Sequence, residues 1–80
     1  MQVVLYSKPG CHLCEEAVRD IERLRAKGYD LAVEERDITT NQAWFDAYRY
    51  TIPVVEIAGR QIACPITADA IERLIHAAVS

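Results

Sequence analysis

The sequence has few of the residues that build flexible or disulfide-stapled proteins: three glycines, three prolines and three cysteines among 80 residues. So few glycines and prolines exclude a linker, a collagen or a low-complexity chain. The cysteines are too few, and odd in number, for the framework of a small secreted domain. A close cysteine pair in a reducing compartment is catalytic or metal-binding, so we expect a cytoplasmic protein.

Long apolar runs and clusters of positive charge are also missing. No run reaches the roughly 18–20 residues that span a bilayer, and the N-terminal residues lack the pattern of a signal peptide. The nine Lys and Arg are interleaved with twelve Asp and Glu, for a formal net charge of −3. Because nucleic-acid surfaces concentrate positive charge, we expect no nucleic acid as partner. We also expect no membrane partner and a monomeric protein.

What remains is the composition of one globular domain over residues 1–80, with 51% hydrophobic and 26% charged residues. Hydrophobic periodicity predicts the order β-α-β-α-β-β-α. The predicted strands are Gln2–Tyr6, Leu31–Arg36, Val54–Ile57 and Gln61–Cys64. The first strand is expected to be central and buried on both sides, with the second parallel to it. The last two form a hairpin through Ala58-Gly59-Arg60, in which Gly59 takes the positive φ.

Three stretches carry apolar side chains at helical spacing. The apolar stripe of the first, which is expected to stop at Gly28, consists of Leu13, Ala17, Val18, Ile21 and Leu24. The stripe of the second, after N-cap candidates at residues 39–41, consists of Trp44, Ala47 and Tyr48. The stripe of the third, which Thr67 is expected to cap, consists of Ala70, Ile71, Leu74, Ile75 and Ala78.

Cys11 and Cys14 lie between the first predicted strand and the first predicted helix. The N-terminus of a helix favours an anionic group, so the pKa of the Cys11 thiol is expected below the value of about 8.5 for a free cysteine. Cys11 would attack a disulfide, and Cys14, one turn on and less exposed, would resolve the mixed disulfide. The spacing therefore predicts a reversible dithiol–disulfide centre.

Two segments resemble the landmarks of the glutaredoxins and, more broadly, of thioredoxin-like proteins. The first is Tyr6–Cys14, and the second is Thr51–Gly59, with its proline before a hairpin. The matching elements run from Gln2 to about Val79, and the short glutaredoxin-like group with a C-x-x-C motif is the most similar. The resemblance implies an α/β thioredoxin-like fold, with a four-stranded mixed sheet flanked by three helices.

The same resemblance implies a thiol–disulfide oxidoreductase that reduces protein or low-molecular-weight disulfides. It implies that Pro53 is cis and exposes the backbone of Ile52 to an extended substrate. Lys8 and His12, beside the thiols, are further candidates for substrate binding. Cys64 is either a small buried hydrophobe or an auxiliary thiol near the same site.

The segment Ala63–Thr67 departs from the family pattern, in which a Gly-Gly pair and an acidic residue hold glutathione. Pro65 has no backbone N–H to offer an anion, and Asp69 comes late. We therefore expect no required cofactor. We expect the electron donor to be a reductase. Glutathione is the alternative, although this segment departs from the pattern that binds it.

Two other classes of function compete with the oxidoreductase. Cys11, Cys14, Cys64 and a histidine would supply four ligands to a metal ion or an iron–sulfur cluster, but the second close pair of ligands typical of zinc sites is missing. The alternative is a non-catalytic interaction domain on the same fold. Because both thiols are present, we expect an enzyme without a metal.

Overall fold

The fold is organised around its first strand, β1 (Gln2–Ser7), which lies inside a four-stranded sheet with the order β2-β1-β3-β4. In this computed structural model, which describes residues 1–79, the side chains of residues 3–7 are all buried. Valine, leucine and tyrosine favour strands because their side chains pack well against a pleated surface. A run without polar alternation indicates burial on both faces, and the prediction of a central strand is confirmed.

The remaining elements follow in the predicted order. Their bounds are α1 (His12–Ala26), β2 (Ala32–Asp37), α2 (Gln42–Tyr48), β3 (Val54–Ile57), β4 (Arg60–Ala63) and α3 (Ala68–Val79). Strand β2 is parallel to β1, β3 is antiparallel to β1, and β4 is antiparallel to β3. The mixed sheet with three helices confirms the predicted fold class.

One face of the sheet is covered by α1 and α3. Alternate residues of β1, Val3 and Leu5, belong to this core with the buried stripes of the two helices. The stripe of α1 differs from the prediction, because Cys14 is 3% exposed and Leu13 is 49% exposed. With 100° of rotation per residue, the buried positions 14, 17, 21 and 24 stay on one narrow face, and Leu13 lies beside it.

The opposite face is covered by α2. Val4 and Tyr6 of β1 pack here with Ile38 and Val54. The Asn41 side chain accepts a hydrogen bond from the backbone N–H of Trp44 at 3.2 Å and caps α2, as predicted. Helix α3 is capped in the same way by Thr67, whose Oγ1 accepts from the N–H of Ala70 at 3.1 Å.

The two edge strands of the sheet, β2 and β4, differ from the prediction in detail. Val33 was expected on a buried face with Leu31, but it is 39% exposed, because β2 is an edge strand that the helices do not cover. In the hairpin, Ile57 pairs directly with Arg60, so the turn contains only Ala58 and Gly59, with φ of 53° and 79°. Two positive φ angles match the right-handed twist of the hairpin, and Arg60 belongs to β4.

A polar network joins the segment after α1 to α3. The Tyr29 hydroxyl donates to Glu72 Oε2 at 2.6 Å, and Lys27 Nζ lies 3.0 Å from the same oxygen. His76 Nε2 lies 3.1 Å from the Tyr29 oxygen. The hydrogen bond from Tyr29 and the ion pair with Lys27 hold the pKa of Glu72 below the ordinary value of 4.5.

None of the helices in residues 1–79 combines the length and the apolar character that crossing a membrane requires.

The buried α1 stripe generates a stability prediction. Ile21 is 1% exposed in the core beneath α1, so Ile21→Ala should lower the free energy of unfolding by about 2–5 kcal/mol through lost burial and a residual cavity. Urea denaturation followed by circular dichroism measures this change. Val79→Ala, at a residue that is 67% exposed, should stay within about 0.5 kcal/mol of the wild type. Equal effects of the two variants would contradict this packing.

The Tyr29–Glu72 network generates a pH prediction. Because the pKa of Glu72 is lower in the folded than in the unfolded chain, its stabilisation is present above the unfolded value and is lost as pH falls through the folded value. The wild type should therefore be more stable than Glu72→Gln at pH 7, and this difference should shrink below about pH 4.5. Urea midpoints at pH 7 and pH 3 measure the difference. A gap that is constant with pH would exclude a charged Glu72 as its source.

Candidate functional site

Four loops meet at one edge of the sheet, here the edge along which β1, β2 and β4 end and β3 begins. Strands β1 and β2 are parallel, so both end at this edge, where Ser7 pairs with Asp37. Strand β3 begins there and β4 ends there, because Val54 pairs with Tyr6 on one side and with Ala63 on the other. The cysteine loop, the proline loop and the Cys64 segment are therefore neighbours in space, although up to 50 residues separate them in the chain.

Cys11 and Cys14 form a disulfide at the start of α1, with their Cα atoms 5.2 Å apart. Cys11 is the N-cap residue, with an extended φ of −89°, and its Sγ accepts a hydrogen bond from the backbone N–H of Cys14 at 3.3 Å. Gly10, with a φ of 76°, turns the chain from β1 into the helix. The helix thus begins at a sulfur atom, which accepts one of the N–H groups that the first turn leaves without a partner in the helix.

The two sulfurs differ in accessibility. Cys14 lies on the buried face of α1 and is 3% exposed, whereas Cys11 is partly exposed at the start of the helix. A substrate disulfide can approach Cys11 but not Cys14. This arrangement agrees with the predicted division between an attacking and a resolving thiol.

The proline loop lies beside the cysteine loop. The Ile52–Pro53 peptide bond is cis, as the resemblance implied, and Pro53 is buried. The N–H of Ile52 donates to the Tyr48 carbonyl at 3.1 Å, so this part of its backbone is occupied. Within residues 1–79 the Ile52 carbonyl has no hydrogen-bond partner, and it is the backbone group left for a substrate.

Lys8 and His12 flank the disulfide on the surface. Lys8 is exposed, its carbonyl accepts from the N–H of Cys11 at 3.4 Å, and its ammonium has no ion pair within the described chain. The His12 ring is directed at two carboxylates of the same helix, with Nε2 3.3 Å from Glu16 and Nδ1 4.0 Å from Glu15. The ring therefore faces acidic neighbours on its own helix.

Cys64 follows β4 at the same edge of the sheet. It is a free, partly buried cysteine, and its backbone N–H donates to the Thr51 carbonyl at 3.3 Å, which ties this segment to the proline loop. The following Cys64–Pro65 bond is also cis. Strand β3 lies between β4 and β1, so about 10 Å of sheet separates this segment from the cysteine loop.

An arginine that the sequence analysis did not single out stabilises the other face of this edge. The Arg36 guanidinium lies 5.5 Å from the ring centre of Tyr6 and 5.4 Å from that of Trp44. It donates to the Tyr6 hydroxyl at 2.9 Å and pairs with Glu34. Burial raises the pKa of Tyr6, and the hydrogen bond from Arg36 opposes this rise. Only the β1–β2 register, which pairs Tyr6 with Arg36, could have revealed the contact.

The ligand set of the metal alternative is not brought together in residues 1–79. Among residues 1–79, no three His, Cys, Asp or Glu side chains are grouped closely enough to hold one metal ion. Cys11, Cys14, Cys64 and a histidine thus do not form a four-ligand site in this structure.

The fold and the site define a class: a thioredoxin-like protein with a C-x-x-C disulfide at the start of its first helix. The Glutaredoxin-like domain family (DUF836) matches residues 2–76, and the chain belongs to this family. Its fold and its cysteine pair support a redox role.

Solved structures agree with this assignment. A Northeast Structural Genomics target protein from X. campestris is 26% identical, with a TM-score of 0.77 over 94% of this chain and 96% of that one. A mutant thioredoxin from Halobacterium salinarum is 25% identical, with a TM-score of 0.72 over 99% of this chain and 74% of that one. Thioredoxin 1 from Thermosipho africanus, 20% identical with a TM-score of 0.67 and full coverage of both chains, shares the fold. A comparison with curated proteins finds no match.

The unequal exposure of the two sulfurs generates a prediction for the reduced protein. Iodoacetamide should modify Cys11 well before Cys14, because only Cys11 is accessible at the helix end. The pH midpoint of Cys11 modification should lie below about 8.5, because the helix N-terminus favours the thiolate. Tandem mass spectrometry, which locates the modified cysteine within the one tryptic peptide that contains both, measures both rates. Faster modification of Cys14, or a midpoint at the free-cysteine value, would contradict this geometry.

Proposed function

We propose that the protein is a thiol–disulfide oxidoreductase that reduces disulfides of polypeptides or small molecules through Cys11 and Cys14. The observation that carries this proposal is the disulfide at the first turn of α1, with one accessible and one buried sulfur. Two buried structural cysteines would not need a position at which one sulfur caps the helix and faces solvent.

The reaction consists of two exchanges. The Cys11 thiolate attacks one sulfur of the substrate disulfide, which forms a mixed disulfide and releases the other substrate sulfur as a thiolate. Cys14 then loses its proton and attacks the Cys11 sulfur, which forms the Cys11–Cys14 disulfide and releases the second substrate thiolate. Two electrons pass from the cysteine pair to the substrate, and the released thiolates take up protons from solvent. The disulfide in this structure is the oxidised product of such a cycle.

The helix start favours the first exchange. In the disulfide form, the N–H of Cys14 already donates to the Cys11 sulfur. In the reduced form, the same donor and the positive end of the helix would stabilise the negative charge of the thiolate. Cys14 lies one helical turn away, at a Cα distance of 5.2 Å, within the range that a disulfide requires.

The neighbouring loop would hold the substrate. The Ile52 carbonyl, which has no hydrogen-bond partner within residues 1–79, would accept a backbone N–H of an extended substrate. Lys8 would contact the substrate through its unpaired ammonium, and His12 would contact it from the exposed side of α1. Cys64 would act as an auxiliary thiol only on a substrate that extends across β3.

The proposal requires no cofactor in the protein. A reductase or glutathione would return Cys11 and Cys14 to the dithiol, and glutathione is disfavoured because Pro65 replaces a donor N–H. We further propose that no nucleic acid is a partner, because the charges are interleaved along the chain. We also propose that the protein works as a monomer in the cytoplasm, without a membrane as partner.

The deciding experiment measures turnover with two donors and two substrates. Reduction of insulin is driven by a thioredoxin-reductase-type donor, and reduction of a small mixed disulfide is driven by glutathione. Cys11→Ser should lower both rates to background, because it removes the attacking sulfur. Cys14→Ser should accumulate a covalent adduct between Cys11 and the substrate, which intact-mass spectrometry detects.

Cys64→Ser is the matched control, since it makes the same chemical change at the same edge of the sheet. It should keep turnover, and its failure to do so would assign Cys64 the auxiliary role. No turnover by the wild type with either donor, together with no adduct in Cys14→Ser, would reject the oxidoreductase.

A further inference from the structure

A cleft of about 240 Å³ lies beside the cysteine loop, between the first turn of α1 and the ends of β1 and β2. Its polar lining consists of Ser7, Lys8, Glu15, Glu35 and Asp37. Gly10, the residue before Cys11, forms part of its wall. The cleft therefore adjoins the sulfur that would attack a substrate, without containing it.

The sheet register brings these side chains together. Leu5 pairs with Glu35 and Ser7 pairs with Asp37 in the parallel β1–β2 ladder. Because side chains alternate across a sheet, all of them share the face of Leu5, which α1 covers. Glu15 approaches the same space from the first turn of α1. Three carboxylates from two elements, β2 and α1, thus surround one cleft.

The charges in the cleft do not cancel. Lys8 supplies one positive charge against the three carboxylates. Asp37 uses Oδ1 for the N–H and the hydroxyl of Thr39, at 2.9 and 2.6 Å, and neither group is charged. Glu35 has no hydrogen bond or ion pair from any side chain in residues 1–79. Within the described residues, the only basic side chain that lies within 4.0 Å of the Glu15 carboxylate is His12, through its Nδ1. The cleft is therefore left with an excess of negative charge.

Ser7 independently indicates that a polar ligand belongs in the cleft. It is only 6% exposed, yet its hydroxyl has no hydrogen-bond partner within residues 1–79. No side-chain oxygen or nitrogen of this part of the chain is both unpaired and sealed from solvent, so the Ser7 oxygen is open to the cleft. Because the rest of Ser7 is buried, a donor group in the cleft would supply a hydrogen-bond partner to its hydroxyl oxygen.

The spacing of the carboxylates selects the kind of cation. The described residues include no group of three that could hold a metal ion, so these oxygens are too far apart to ligate one metal together. An alkylammonium or guanidinium group is larger and directs several N–H donors outward, toward oxygens on different walls. In an extended chain, a residue two or three positions from a substrate cysteine lies about 7–10 Å from it. Such a residue could enter the cleft while its cysteine is at Cys11, because Gly10, the neighbour of Cys11, lines the cleft.

We propose that this cleft binds the side-chain cation of a lysine or arginine in a polypeptide substrate, and so selects disulfides that have a basic residue nearby. This inference rests on the proposed oxidoreductase function. Glu35, Asp37 and Glu15 contact the cation, the Ser7 oxygen accepts one of its N–H groups, and the substrate cysteine is positioned over Cys11.

The test compares two disulfide peptides that differ in one group. One carries a lysine three residues from its cysteine, and the other carries acetyl-lysine, which has a similar shape and no charge. At low salt the wild type should reduce the lysine peptide with a kcat/KM about two- to fivefold higher, as for an exposed ion pair. The ratio should approach one at high salt and in Glu35→Gln.

The matched control is Glu34→Gln, which makes the same change of charge on the same strand but on the opposite face of the sheet. It should keep the preference for the lysine peptide. Equal kcat/KM values for the two peptides in the wild type, or loss of the preference in both variants alike, would overturn the cation site while leaving the oxidoreductase intact.

A second measurement does not depend on turnover. Versions of the two peptides without cysteine are titrated into the isotope-labelled protein, and backbone amide shifts are recorded. The lysine peptide should cause saturable shifts at residues 7–10 and 35–37, and the acetyl-lysine peptide should not. If neither disulfide peptide is reduced but these shifts appear, the oxidoreductase is rejected and the cation site stands. If the lysine peptide causes no shifts there, the cation site is rejected.

Discussion

The burial of β1 on both faces is the constraint on which the rest of the structure depends. Its alternate side chains anchor two separate cores, one under α1 and α3 and the other under α2. Because the strand cannot shift by one residue without exchanging these faces, its end is held at Ser7. The loop that follows, and with it Cys11, is thereby positioned against the ends of the neighbouring strands.

The start of α1 links helix formation to sulfur chemistry. The cap of this helix is the Cys11 sulfur, in place of the oxygen of a serine or an aspartate. One of the N–H groups that every helix leaves unpaired at its start, that of Cys14, thus donates to the atom proposed to carry negative charge. The buried stripe below, which begins at Cys14, places the second sulfur inside the core and the first outside it.

Local signals predicted much of the fold and part of the site. The caps at Asn41 and Thr67 and the positive φ of Gly59 depend on residues within a few positions, and all three predictions are confirmed. Two predictions about burial, at Leu13 and Val33, are wrong because burial depends on which neighbour covers a residue. The register of β1 with β2 places Arg36 beside Tyr6 and Asp37 beside Ser7, across 30 residues of chain, and no local pattern encodes it.

By itself the sequence determined the order of elements and the dithiol at the start of a helix, because strand propensity, helix periodicity and cysteine spacing are properties of short segments. Tertiary structure decided which side chains surround that dithiol. The proline loop and the carboxylate cleft lie beside the cysteine loop, and the Cys64 segment lies beyond β3, because parallel and antiparallel pairing bring the ends of four strands to one edge of the sheet. Charge, accessibility and hydrogen bonding at the site depend on residues that are distant in the chain. Only packing brings these residues within reach of one another.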